Sequence, residues 1–523
     1  MTLPYWFFTR PQRKLYRVPQ SVAALREVAY GRPWSGSREL HIAFEEVLER
    51  ESIKRQGDRR DAGGSGGRTH ASLLRSLGLA FEREADERMY LTLAGEALAD
   101  GEPPAPILGN QVLKYQFPSP YSVGRNVDVD RRFQLRPMVL LLRLLLDDRV
   151  GYLAQEEIAL RVITLGDRHT VAGRDKVVEA ILQYREDGDS SLEPDFSTRF
   201  CSNRGRPDRL REALADIANT AMNWMQHTNL VERQDDQIWI TPGRETLAQE
   251  LIEQHGGAAL IPDPQNEEKF QRRYGLPPGR SKDTRNLSGS RALSREEAID
   301  LRVQTVVLGI ARTEMIVAVP PAEFLERVSA STGFSPASVS AALGRVMPDR
   351  SRTLDQFLLG YAEMARSSRE RARDFELATT DVFKRVFELD ARHVGGAGRE
   401  PDVVVDNNNS WRIIVDTKAH GNGYTLPASD ERAMKEYVAA YAQKSPKLKA
   451  WVFISSSFGA SINPRLRKIV DETGVPGSAV GITAWIALIQ HAQDGRVDAE
   501  MLLALLSVGR EVTLEDVQRV VVG

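Results

Sequence analysis

Asp416 and Lys418 stand two residues apart at the end of the apolar run WRIIVDTKA, in a stretch that opens with GGAGREPDVVVDNNNS. In an extended strand such residues share one face and lie about 7 Å apart along the chain, so Val415 and Thr417 point to the other face. Charge on a buried strand is costly unless the groups hold one another or a ligand. A second carboxylate, Asp402, follows Pro401 at the head of the preceding apolar run, and the polar turn DNNNS allows the two runs to pair. Two carboxylates and the Thr417 carbonyl on adjoining strands make an oxygen-rich site suited to Mg²⁺, which takes carboxylates and keeps several waters. With a phosphate completing that site, Lys418 can orient or help deprotonate an attacking water and stabilise charge on the phosphorus oxygens. Phosphodiester hydrolysis is the reaction implied. A plain Asp–Lys ion pair on a strand edge is the alternative, and the DTK tripeptide alone does not decide between them. The longer pattern says more: PD, a spacer, an apolar run ending in D-x-K, Glu376 on an upstream helix, and the pair Gly395 and Gly396 before the first strand.

These residues need a sheet to hold them. DFELATTDVFKRVFEL reads as an amphipathic helix, PDVVV and WRIIVDTKA as strands, SDERAMKEYVAAYAQ as a helix and KAWVFISSS as a buried strand. INPRLRKIVDETG then reads as a helix, and SAVGITAWIALIQ as a strand turning into a helix. The expected result over residues 350–523 is a mixed α/β layer with helices on both faces.

The whole chain has 523 residues, too many for one core, and suggests roughly three domains. Seventy basic residues against seventy-two acidic ones give a net charge of −2, so the total does not announce a nucleic-acid partner and the distribution must be consulted. The lone Cys201 excludes an internal disulfide and fits a reducing cytoplasm. The start MTLPYWFFTRPQRK lacks the form of a secretory signal. LRPMVLLLRLLLDD, interrupted by Arg143, falls short of the ~20 apolar residues a bilayer needs and reads as a buried helix.

Two distant segments share a grammar. SLGLAFEREADERMYLTLAGEALA (76–99) and TNLVERQDDQIWITPGRETLA (228–248) each read as a helix end, a strand, a charged turn, a strand and a further helix. That is the pattern of a winged helix, whose recognition helix can enter the major groove. Two such units, over about 40–105 and 205–255, are expected to make residues 1–260 a double-stranded-DNA-recognition region; two αβ units that only pack are the alternative. Near the first unit, IKRQGDRRDAGGSGGRTH supplies Lys54, Arg55, Arg59, Arg60 and Arg68 with a glycine-rich turn, and His70 as a further base reader. Arginine pairs with guanine O6 and N7, and glycine amides can meet phosphate. A solvated loop in which Asp58 and Asp61 offset the arginines is the alternative. RFCSNRGRPDRLR adds Arg204 and Arg206 before the second unit. Pro, Gly and Ser accumulate from 261, which reads as the end of the recognition half. Residues 261–349 are expected to be a linker and a helical spacer, with Ser335 capping the helix that starts at Pro336.

On HVGG, REPD, IIVDTKA, GNGYTLP and MKEYV, the segment from Glu376 to Val438 closely resembles the FokI-type cleavage domain of type IIS restriction endonucleases, within the PD-(D/E)XK nuclease superfamily. The likeness extends with gaps over roughly residues 350–523. It implies that Asp402, Asp416 and Lys418 form the catalytic motif, with Glu376 as a helix carboxylate; His393 also aligns and is read as structural. WFFTRPQRKL, the AFEEVL helix, YLTLAGEALA and VLKYQFPSP resemble the recognition region of AlwI-type enzymes and their nicking relatives. The expectation is an Mg²⁺-dependent cytoplasmic bacterial enzyme that binds a short asymmetric site, cuts outside it, and is accompanied by an unbound DNA methyltransferase. A strand-specific nickase is the second reading, and a non-catalytic winged-helix regulator is the third.

One active site per chain cuts one strand, so a double-strand break implies self-association of nuclease domains. In domains of this resemblance the helix after the NLP-type turn carries the dimer surface, here SDERAMKEYVAAYAQ. Ser429 is expected to cap it, with Asp430 and Glu431 in its first turn. Arg432 and Glu436, four apart, share a face. They could form two reciprocal pairs across a two-fold axis or one intrahelical pair.

Overall fold

The structure is a computed structural model that describes residues 2–59, 61–124, 127–201, 206–288, 293–316, 322–346, 350–395 and 400–522. Arg60, Arg204 and Gly396 therefore lie outside the described residues. The architecture is multidomain α/β and α+β, as the sequence pattern implies.

In the N-terminal half, α1 (Val18–Ala29), α2 (Arg38–Arg50) and α3 (Ser65–Ser76) lead into the hairpin β1 (Ala80–Glu82) and β2 (Met89–Leu91), then α4 (Leu93–Ala99). Thr92 caps α4 by accepting from the Gly95 amide at 3.1 Å. Gly95 is required there: a Cβ would fall 1.9 Å from the Leu79 carbonyl oxygen. The apolar LRPMVLLLRLLLDD segment forms α5 (Pro137–Leu145), buried as expected. No helix among the described residues is long and apolar enough to cross a membrane.

The second unit repeats the helix–hairpin–helix order with α6 (Leu210–Gln226) preceded by β3 (Tyr152–Ala154) and followed by β4 (Val231–Gln234), β5 (Gln237–Ile240) and α7 (Glu245–Gly256). Its sheet has a third strand, in the order β3-β5-β4, so the unit draws on residues well before 205. The internal likeness holds for the elements but not for their caps. Arg244, not Thr241, precedes α7, and Gly243 forms the turn with φ +83°.

The segment expected to link the halves is built into the first unit. Helix α8 (Glu267–Tyr274) places Glu267 against Arg75 of α3 in a two-pronged ion pair of 2.6 and 2.5 Å, with both side chains buried and Tyr121 donating to Glu267 at 3.0 Å. The Ala94 amide donates to Gly275, and Leu276 and Leu287 are buried. Burying a charge pair contributes little net stability, but removing one partner strands the other. Glu267→Ala should therefore destabilise the N-terminal half by about 3–5 kcal/mol, measured as a lower thermal-unfolding midpoint. Glu267→Ala unfolding at the wild-type temperature would contradict this packing.

Helices α9 (Arg295–Ala311), α10 (Ala322–Thr332) and α11 (Pro336–Val346) share a small apolar core around Val303, Val307, Val328, Val339 and Ala342. Arg302 ties α9 to Glu51 at 2.5 Å. Helix α9 of this block packs against α1.

The C-terminal domain starts with α12 (Arg350–Ala365) and α13 (Ala372–Arg385) and is centred on a six-stranded sheet. Its strands are β6 (Asp390–His393), β7 (Val403–Asn407), β8 (Trp411–Lys418), β9 (Leu448–Ser455), β10 (Gly477–Gly481) and β11 (Glu511–Val512). They lie in simple sequence order across the sheet. The pairs β6–β7 and β7–β8 are antiparallel, and the remaining pairs are parallel. Val403, Val405, Ile413, Val415, Val452 and Ile454 fill one face beneath α12, α13 and α16 (Ile482–Gln493). Val404, Ile414, Trp451 and Phe453 fill the other beneath α14 (Ala428–Ala442) and α15 (Ile462–Thr473), the two labels following chain order. Period-two alternation on a sheet buried on both sides leaves a charged residue tolerable only at the strand ends, which is where Asp416 and Lys418 fall.

Candidate active site

Asp416 pairs across to Phe453 of β9 and shares the face of Ile414, under α14. It is 4 % exposed. Lys418, on the same face, brings Nζ to 3.0 Å from Asp416 Oδ2, as strand geometry requires. Asp402 stands immediately before β7, and its Oδ2 accepts from the Thr417 amide at 2.7 Å and the Thr417 hydroxyl at 2.9 Å. Thr417 thus fixes Asp402 through its N–H and its hydroxyl.

Burial pushes the Asp416 carboxyl far above the usual carboxylate range, against the pull of Lys418, with Asp402 pushing it further. Burial and then Glu376 do the same to Asp402. On Lys418, burial acts downward, but Asp416 and Asp430 outweigh it and hold the ammonium protonated. Burial and the neighbouring like charge both disfavour the ionised form of these carboxyls.

Glu376 projects from α13 toward the same point, and its Oε2 accepts from His393 Nε2 at 2.7 Å. His393 is therefore a support for Glu376, consistent with its structural reading. Gly395 lines the gap between them: a Cβ there would come within 3.1 Å of Asp402 Oδ1 and 3.3 Å of Glu376 Oε2. The hard oxygen donors of Asp402, Asp416 and the Thr417 carbonyl, beside a gap kept open by glycine, fit a divalent cation. Among the described residues no group of three or more His, Cys, Asp and Glu is arranged to hold a metal ion.

Several expected DNA contacts are placed elsewhere. Lys54 is largely buried and lies 3.2 Å from Glu45 and 3.1 Å from Glu49, so it is spent inside the fold. His70 is buried with Nδ1 2.9 Å from the Gly66 carbonyl oxygen, and burial pulls its pKa down. Arg59 is held on Glu49 at 2.9 Å. Arg68 closes its own loop through Asp61 and the Gly63 carbonyl. Arg206 pairs with Asp208 on the surface. Arg55 is exposed and has no partner among the described residues. The carboxylates that neutralise Lys54 and Arg59 sit one helix earlier, on α2, which spacing within the loop could not disclose.

Helix α14 begins at Ala428 with Pro427 before it, one residue ahead of the expected Ser429 cap; Ser429 instead donates to Asp430 at 3.1 Å. Asp430 and Glu431 do occupy the first turn. Glu431 is buried on Lys435 and on Lys468 of α15, whereas Arg432 and Glu436 are exposed and make no ion pair with each other or another described residue. The residue missed by sequence reading is Asp430, whose Oδ2 lies 3.3 Å from Lys418 Nζ.

The second wing packs on the C-terminal domain beside this centre. The Asp235 amide donates to the Asn422 carbonyl at 2.5 Å, Gln234 Nε2 donates to Thr425 Oγ1 at 3.1 Å, and Ser457 Oγ donates to the Arg233 carbonyl at 2.7 Å.

Comparison with known proteins finds similarity over the C-terminal part of the chain. The FokI cleavage domain matches residues 333–513. The chain is 24% identical over 147 residues to type II restriction enzyme StsI of Streptococcus sanguinis, covering 25% of this chain and 24% of that one. It is 23% identical over 142 residues to type II restriction enzyme FokI of Planomicrobium okeanokoites, covering 23% of this chain and 24% of that one. The alignments thus span about a quarter of the length of each relative. The structure of restriction endonuclease FokI superposes over 98% of this chain and 100% of that chain at 14% identity, but with a TM-score of 0.29, too slight a likeness to assign any residue.

Proposed function

We propose that the chain is a type IIS restriction endonuclease, a reading supported by the match of residues 333–513 to the FokI cleavage domain. Its N-terminal half binds a short asymmetric site in double-stranded DNA, and its C-terminal domain hydrolyses phosphodiester bonds at a fixed distance outside that site. The observation that carries this reading is the convergence of Asp402, Asp416 and Lys418 at one end of the sheet within the matched domain.

In this reading Asp402, Asp416 and the Thr417 carbonyl hold Mg²⁺, which when bound supplies Lewis-acid stabilisation of charge on the phosphoryl group. Lys418, held protonated by Asp416 and Asp430, acts through its N–H groups. It orients or helps deprotonate the attacking water and stabilises charge on the phosphate oxygens. Thr417 and Glu376 position the carboxylate of Asp402 and the gap beside it. Two nuclease domains pair through α14 to break both strands; the exposed and unpaired Arg432 and Glu436 support that surface over an intrahelical pair. Digestion of plasmid DNA by full-length protein tests the activity: cleavage with Mg²⁺ that stops on chelation is expected, and intact plasmid across all divalent ions would refute it.

A further inference from the structure

We propose that Asp430, held by Tyr424, is a positioning residue for Lys418. The inference rests on reading Lys418 as the lysine of the nuclease centre.

Lys418 ends an edge of apolar strand and carries a flexible four-carbon stem, so one carboxylate partner leaves its ammonium free to follow that partner. Here Nζ lies between two, 3.0 Å from Asp416 Oδ2 and 3.3 Å from Asp430 Oδ2. Asp430 is not free to move. Its Oδ2 also accepts from the Tyr424 hydroxyl, and its Oδ1 accepts from Ser429. Tyr424 is 3 % exposed, and its backbone is locked to the segment after β9 by Tyr424 N to Ser457 O at 2.8 Å and Gly459 N to Tyr424 O at 3.2 Å. The loop bearing Tyr424 is gripped from outside by the second wing at Asn422 and Thr425, and Gly423, at φ +79°, allows the close approach: a Cβ would meet Ser457 Oγ at 2.7 Å and the Arg233 carbonyl at 3.2 Å. A chain of contacts therefore runs from the wing through a rigid aromatic to Asp430 and then to Lys418.

The consequence is a division of labour between the two carboxylates. Asp416 must serve the cation as well as Lys418. Asp430 takes part of the hold on the ammonium, so Lys418 does not close on Asp416 and compete with the cation for it. Loss of the Asp430 charge leaves Lys418 to Asp416 alone. Outer partners of this kind are worth about 10- to 100-fold in metal affinity or rate.

An alternative role for Asp430 is ordinary: an acidic residue in the first turn of α14 complements the helix dipole. The two roles separate experimentally. Full-length protein is compared as wild type, Asp430→Asn and Tyr424→Phe, in single-turnover cleavage over a Mg²⁺ series and in calorimetric Ca²⁺ binding to the complex with uncut DNA. Asp430→Asn should need about 10-fold more Mg²⁺ for half-maximal rate and bind Ca²⁺ about 10-fold more weakly. Tyr424→Phe, which leaves the helix dipole untouched, should shift both in the same direction by a smaller factor. Wild-type metal dependence in both variants would overturn the positioning role. Lys418→Ala in the same assay separates the premise: full cutting there overturns the reading of Lys418 as the lysine of the nuclease centre, whereas loss there with wild-type behaviour of the two variants overturns the role of Asp430 alone.

Discussion

Asp416→Asn should cut DNA at least about a thousandfold more slowly than the wild type, a loss of several kcal/mol of transition-state stabilisation, with affinity for the DNA site unchanged. Asparagine keeps the shape of the side chain and removes one of two charges that would hold the cation, while the recognition region proposed above is the N-terminal half. The stability of the variant distinguishes a lost function from a lost fold. The Asp416 carboxyl is raised by burial, so the folded protein binds its proton more tightly than the unfolded chain does. Stability then falls as pH rises from the unfolded value through the folded one, and the ionised form is a burden at neutral pH. Removing that charge should raise the thermal midpoint of the metal-free protein, and Lys418 keeps a partner in Asp430 at 3.3 Å. Gel shift, digestion and thermal unfolding of the same preparation check all three. A variant that unfolds well below the wild type would show that Asp416 is a structural ion-pair partner.

Reversing one charge on the outer face of α14 should reduce double-strand cleavage by about 100-fold, because like charges brought together across an interface cost several kcal/mol. Arg432 and Glu436 are exposed, four residues apart, and leave Glu431 to tie the helix down through Lys435 and Lys468. In a two-fold contact each Arg432 can meet the partner copy's glutamate, giving two reciprocal pairs. Arg432→Glu alone and Glu436→Arg alone are each repulsive with themselves and should leave nicked circles. An equimolar mixture at the same total enzyme should restore linear product from a one-site plasmid through the complementary heterodimer. No gain on mixing would reject this pairing.

Much of the centre was legible because strands have a period of two. Asp416 and Lys418 had to share a face, and the PD pair placed Asp402 one strand away. Asp430 was not legible: in sequence, an acid in the first turn of a helix is fully explained by the dipole. The signal that could have found it is the tyrosine of GNGYTLP, a polar-tipped aromatic six residues upstream that needs a partner when buried. The basic run at 53–70 misled for the opposite reason. Its charges count toward DNA only if no carboxylate claims them, and Glu45 and Glu49 of α2 claim Lys54, while Glu49 also holds Arg59. Residues 261–349 read as a linker and helical spacer because Pro and Gly report turns, not exposure; the burial of Tyr274, Leu276 and Leu287 within it depends on a surface far away in the chain. The two winged units were visible as a repeated grammar, but the third strand of the second unit comes from residues 152–154, outside the repeat.

The central claim is that one part of the chain chooses the DNA and another cuts it elsewhere. The most direct measurement maps both on the same duplex: a footprint of Asp416→Asn bound without cleavage, and the sequenced ends left by the wild type with Mg²⁺. The account predicts one footprint over an asymmetric sequence and ends at a constant number of base pairs beyond its edge. Ends within the footprint, or scattered without relation to it, would contradict it.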